Sequence, residues 1–90
     1  MPDRVVCVAS FADPGHEAEK LRVFYEAMAE ARRDAGQLPV PFHRFAELVR
    51  EQVQALRAGP AGEVAFRVTL QDGKVNLTAR ALKGVAAEEA

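Results

Sequence analysis

The chain has 90 residues, one domain's worth, with 49% hydrophobic and 28% charged side chains, proportions ordinary for a globular protein. Twelve Lys and Arg against thirteen Asp and Glu leave a formal net charge of −1, which excludes a polybasic or polyacidic tail protein and any overall attraction to nucleic acid or anionic lipid. The lone Cys7 excludes an intrachain disulfide, and the longest apolar run, Val5 to Ala9, falls far short of the roughly 20 residues a bilayer span needs.

Residues 4–9 are apolar and β-branched, which predicts a short strand buried on one or both faces. They do not read as a signal peptide, because Asp3 sits beside Arg4 and Phe11 interrupts the small residues that cleavage would need. Bulky Val6 before Cys7 likewise argues against a lipid-modified cysteine. Cytoplasmic residence is the expectation, with Cys7 a reduced, half-buried small hydrophobe.

Ser10–Gly15 reads as a turn, with Asp13 as N-cap and Pro14 at the first helical position. A helix then runs to about Ala35 and stops at Gly36. Its apolar stripe is Leu21, Phe24, Tyr25, Met28, Ala31 and Ala35, opposite Glu19, Glu26, Glu30, Arg33 and Asp34. Val23 falls on the polar side and is a candidate exposed contact. Pro39-Val40-Pro41 forms a stiff connector. A second helix extends from near Pro41 to about Ala58, ended by Gly59-Pro60, with Phe42, Phe45, Val49, Val53 and Leu56 as its stripe and Ala46 and Leu48 beside it.

The last third is the most specific. Val64, Phe66, Val68 and Leu70 alternate along one segment, and Val75, Leu77, Ala79 and Ala81 along the next. Asp72-Gly73 between them is a favoured type I′ hairpin pair. A two-residue turn sets Gln71 against Lys74, and every apolar residue then meets an apolar partner on one face. A slip of one residue destroys that agreement. An isolated hairpin is marginal, so it calls for helical cover and a third strand, and residues 4–9 are the candidate. The expected fold is α+β in the order β-α-α-β-β: an antiparallel helical hairpin on a small antiparallel sheet. Residues 4–84 make the domain, and residues 85–90 a flexible tail.

Candidates for chemistry are sparse. His16 and His43 lie in different elements, and four zinc ligands cannot be gathered by spacing. Asp13 to Glu17 is accounted for by helix capping. The glycines lack the Lys-Ser/Thr of a phosphate loop, and neither Ser10 nor Cys7 has an activating base beside it. No catalytic residue, metal or cofactor is expected, and the chain does not read as an enzyme. What stands out is basic surface. His43, Arg50 and Arg57 recur every seventh position within a sector of roughly 40° on the second helix. Arg67 and Arg80 are near each other on the hairpin's outer face, amid Thr69, Gln71, Asn76 and Thr78. On an exposed surface, alanine at Arg50 or Arg57 should leave stability within about 0.5 kcal/mol.

Several segments resemble those of a small uncharacterised domain. These are Phe24-Tyr25 through Ala31-Arg32-Arg33, Gly36, Val40-Pro41-Phe42-His43-Arg44-Phe45, Val64-Ala65-Phe66-Arg67-Val68, Asp72-Gly73-Lys74-Val75 and Leu77-Thr78-Ala79. That domain is found alone or at the C-terminal end of larger regulatory proteins in myxobacteria and their relatives. The resemblance spans roughly residues 21–84, leaves residues 4–9 outside, and carries no activity or catalytic residue with it. It implies attachment to signalling machinery.

Together these features lead to the expectation of a non-enzymatic adaptor that binds protein partners in a bacterial signalling or cell-polarity complex. One concrete form links a response-regulator-like scaffold to a small GTPase and affects its nucleotide state. His43, Arg50, Arg57, Arg67, Arg80 and Val23 are the expected contact residues. The alternative is a nucleic-acid-binding module using the same modest basic surface, against which stand the net charge and the absence of Trp. Open strand edges also allow pairing between copies.

Overall fold

The computed structural model describes residues 4–57, 59 and 62–82, and within them the alternating segments pair as their patterns require. β1 (Arg4–Phe11), β2 (Glu63–Gln71) and β3 (Lys74–Leu82) form one antiparallel sheet in the order β1-β2-β3. The β2–β3 ladder has the expected register throughout, from Gln71 opposite Lys74 to Val64 opposite Ala81. Asp72 and Gly73 both take positive φ, 52° and 76°, as a type I′ turn demands.

α1 (Ala18–Asp34) and α2 (Phe42–Leu56) cover one face of the sheet, giving the α+β order β-α-α-β-β. Phe11, Phe24, Phe45 and Phe66 form the centre of the core, each at most 3% exposed. Phe24 meets Phe11 edge-on at 6.2 Å and Phe45 at 5.8 Å between ring centroids. Among the described residues no polar or charged side chain is buried.

Three local expectations are corrected. Ser10 and Phe11, read as turn, belong to β1, because Phe11 opposite Val64 extends the ladder and buries a large ring. Asp13 does not cap a helix. The chain makes a 3-10 turn at Pro14–His16 and restarts at Ala18, while Asp13 Oδ2 lies 2.6 Å from His16 Nδ1. Glu17, where α1 begins, makes no side-chain cap either: its Oε1 reaches back to accept the N–H groups of Ala12 and Asp13 at 3.0 and 2.9 Å, closing the turn after β1. α2 ends at Leu56 rather than near Ala58, since Arg57 is extended at φ −62°, ψ 130°. The expected tail, 85–90, and the helix stop at Ala58 and Pro60 lie outside the described residues.

The other end of α1 is as expected. Gly36 adopts φ +77°, Gln37 N–H donates to Arg32 O at 2.8 Å, and Gly36 N–H to Arg33 O at 3.1 Å. This left-handed cap closes the last carbonyls and turns the chain toward the sheet.

Candidate functional site

With both helices on one side, the opposite face of the sheet is uncovered, and strand alternation decides what it shows. β2 contributes Ala65, Arg67 and Thr69, and β3 contributes Asn76, Thr78 and Arg80. Arg67 sits opposite Thr78, and Ala65 opposite Arg80, so the two arginines are diagonal neighbours across the ladder. Both are exposed. Small Ala65 leaves a hollow of about 280 Å³ between them, bordered by Val8 and Thr78.

β1 adds an apolar margin that the sequence reading missed. Val5 lies opposite Thr69, and Cys7 opposite Val68, so Val6 is the extra residue of a bulge. Cys7 faces the core in phase with Ala9 and Phe11, and the bulge lets Val6 pack beside it while Val5 and Val8 face out, 52% and 62% exposed. Simple alternation along residues 4–9 cannot place both valines outward, and no sequence signal marks the bulge. Cys7 is half-buried, and desolvation pushes its thiol pKa up, which suits a packing residue.

The electrostatics of the face are one-sided. The ion pairs among the described residues are His16–Asp13 and Lys20–Glu17, neither on the sheet. Glu63, opposite Leu82 at the end of the ladder, is the face's one carboxylate among the described residues and is not within ion-pair distance of Arg80. Two guanidinium groups that form no ion pair among the described residues, beside exposed valines, suit a carboxylate carried on a partly apolar surface.

The second basic cluster is elsewhere. His43 and Arg50 lie on α2 and Arg57 just past its end, in the layer on the other side of the sheet from the exposed face of Arg67 and Arg80. His43 and Arg57 are also separated by roughly 21 Å of helix. Arg57 is engaged: its Nη1 donates to Ala12 O at 2.8 Å and its Nε to Gly59 O at 3.0 Å. Arg50, Gln54 and Arg57 border a hollow of about 250 Å³ against Asp13. Asp13 has its pKa lowered chiefly by the hydrogen bond from His16, against some desolvation, with the His16 and Arg57 charges contributing. Val23 is 64% exposed on α1, in the helical layer. The six expected contact residues therefore divide between the helical layer and the open sheet face, where the fold brings Arg67 and Arg80 together.

No group of three or more potential metal ligands occurs among the described residues, and no helix there is long and apolar enough to cross a membrane. No family model matches the chain, and neither a curated protein nor a solved structure matches it.

Proposed function

We propose that the protein is a non-enzymatic interaction module whose open sheet face docks an acidic surface of a partner protein. The observation that carries this reading is the diagonal pair Arg67 and Arg80, in no ion pair among the described residues and beside exposed Val5 and Val8. Charge of this kind steers encounter and selects partners, while the valines supply area to bury. The resemblance to a domain of myxobacterial regulatory proteins suggests the partner class, a response-regulator-like scaffold or a small GTPase, in a cytoplasmic signalling complex. Docking between two such proteins would let a small adaptor influence the nucleotide state of the GTPase.

The test is capture followed by reconstitution. A partner identified from lysate is purified and titrated against the wild-type chain and the Arg67→Glu/Arg80→Glu double variant. The expected result is a loss of affinity of at least about tenfold in the double variant, with affinity falling as salt rises. Equal affinity for both chains removes the sheet face from the interaction.

Nucleic acid is the weaker reading, because a continuous phosphate backbone needs a continuous basic track. Here the two basic sets occupy different sides of the sheet, and among the described residues the sheet face presents no aromatic side chain for base stacking.

A further inference from the structure

β3 is an edge strand, and alternate backbone groups along it point away from β2. The two-residue turn makes Gln71 and Lys74 a hydrogen-bonded pair, so Val75, Leu77, Ala79 and Ala81 turn their N–H and C=O groups outward. Val75 agrees with this parity, since its N–H donates to Gln37 Oε1 at 2.7 Å. Gln37 therefore caps one end of the edge. Among the described residues no other group from outside the sheet bonds to it.

Unprotected edges are usually blunted by a bulge, a proline or an inward-pointing charge. β1 carries a bulge at Val6, whereas β3 pairs without interruption from Lys74 to Leu82 and turns only apolar residues inward. Beside the open part of β3, a hollow of about 210 Å³ runs to α2, with Leu48, Gln52, Leu77 and Ala79 among its walls. Leu48 is 40% exposed there. An open main-chain edge and an apolar slot thus lie next to each other.

Charge decides the occupant. The outer-face side chains nearest the edge are Thr78 and Arg80, with Arg67 one strand further in. A second copy pairing β3 to β3 about Ala79 would set the Arg80 side chains of the two copies diagonally against each other, like charge beside like charge. We infer that the edge from Leu77 to Ala81 receives an extended segment of the partner protein as a fourth strand, one in which acidic and aliphatic side chains alternate. Successive side chains of a strand point to opposite faces. The acidic ones then stand beside Arg80, and the aliphatic ones enter the slot against Leu48. Main-chain bonds supply affinity and the alternation supplies selectivity. The inference rests on the docking of an acidic protein proposed above and adds where and in what conformation it is held.

The test uses the full chain, isotope-labelled, and a blocked synthetic peptide of alternating glutamate and valine. Amide exchange at Leu77, Ala79 and Ala81 is expected to slow by about tenfold at saturation. A lysine–valine peptide should leave these amides unchanged. Ala79→Pro removes an outward N–H without breaking a bond to β2, and it should abolish the protection. Leu48→Lys, at an exposed helical position, should do the same by closing the slot, and it serves if the proline disturbs the strand. Peptide binding that shifts residues around Arg67 and Arg80 while the edge amides stay unprotected overturns the inference and leaves the sheet-face reading intact. Protection that survives Arg67→Glu and disappears with Ala79→Pro supports the edge and counts against the Arg67 face. Protection without peptide that grows with protein concentration assigns the edge to a second copy and overturns the inference. So does a peptide that does not bind.

Discussion

The side-chain oxygen of Gln37 accepts the backbone N–H of Val75 at 2.7 Å, joining the loop after α1 to the start of β3. The contact depends on the turn before it. Gly36 at φ +77° reverses the chain, and Gln37 N–H donates to Arg32 O, so the side chain is held toward the sheet. Gln37→Ala leaves the Val75 N–H to water and should cost about 0.5–1.5 kcal/mol. Urea unfolding measures the loss, and faster exchange at the Val75 amide, with Leu77 unchanged, would locate it. An unchanged midpoint and unchanged exchange would mean the bond contributes nothing.

Gly73 offers a test of backbone conformation with no packing component. Its φ is +76°, and a Cβ built there meets nothing within 4 Å. Gly73→Ala should therefore lose about 1–2 kcal/mol through left-handed strain alone. Asparagine tolerates that region better, so Gly73→Asn should lose less. If the two variants have equal stability, strain at this turn is not the cause.

Substitutions at the core and on α2 separate packing from anchoring. Phe66 is fully buried and its ring packs 5.9 Å from that of Phe11, so Phe66→Ala should cost about 3–5 kcal/mol. Arg50 makes no hydrogen bond or ion pair among the described residues, and Arg50→Ala should stay within about 0.5 kcal/mol. Arg57 differs from the expectation drawn from sequence. Its bonds to the Ala12 and Gly59 carbonyls tie the end of α2 to the segment after β1. Arg57→Ala should therefore cost about 0.5–1.5 kcal/mol, and thermal melts that rank it with Arg50→Ala would deny the anchor any weight.

Cys7 gives a chemical readout of the inner face of β1. It shares the inner face with Ala9 and Phe11, and desolvation raises its pKa, so less of the reactive thiolate is present. Alkylation at mildly alkaline pH should be several-fold slower, about threefold or more, than in the urea-unfolded chain. Equal rates would place the thiol in water and deny Cys7 its place on the inner face of β1.

The hairpin was legible because its register is over-determined. A period-2 pattern on both sides of Asp72-Gly73 leaves one pairing that keeps Val64, Phe66, Val68 and Leu70 inside. The helix stripes were legible for the same reason, since spacing alone selects the buried side of Leu21, Phe24 and Met28. What sequence could not show depended on contacts between distant segments. Phe11 is a strand residue only because Val64 stands opposite, and Gln37 is an edge cap only because β3 comes beside it. The candidate site was half legible. Arg67 and Arg80 follow from the register, but Val5 and Val8 needed the bulge. The separation of the α2 cluster from the sheet arginines needed the layer order.

Glu17 supplies the pH dependence of the α1 start. Partial burial would push its carboxyl pKa up. The hydrogen bonds from the Asp13 and Ala12 N–H groups and the Lys20 ammonium at 3.1 Å outweigh that, so its pKa lies below the ordinary value. A carboxyl whose pKa is lowered by folding adds stability that is complete above its unfolded value, about 4.3, and disappears as pH falls through the folded value. Glu17→Gln keeps an acceptor oxygen but cannot titrate, so the comparison isolates the charge. The wild-type chain should exceed Glu17→Gln by about 0.5–1 kcal/mol near neutral pH, a modest figure because the side chain is partly exposed. Its advantage should shrink below about pH 4.3 and vanish in stronger acid. Asp13 titrates in both proteins and cancels from the difference to first order. Urea midpoints for the two chains across the acid range provide the measurement, and a stability difference that does not change with pH would assign the Glu17 contribution to hydrogen bonding without charge.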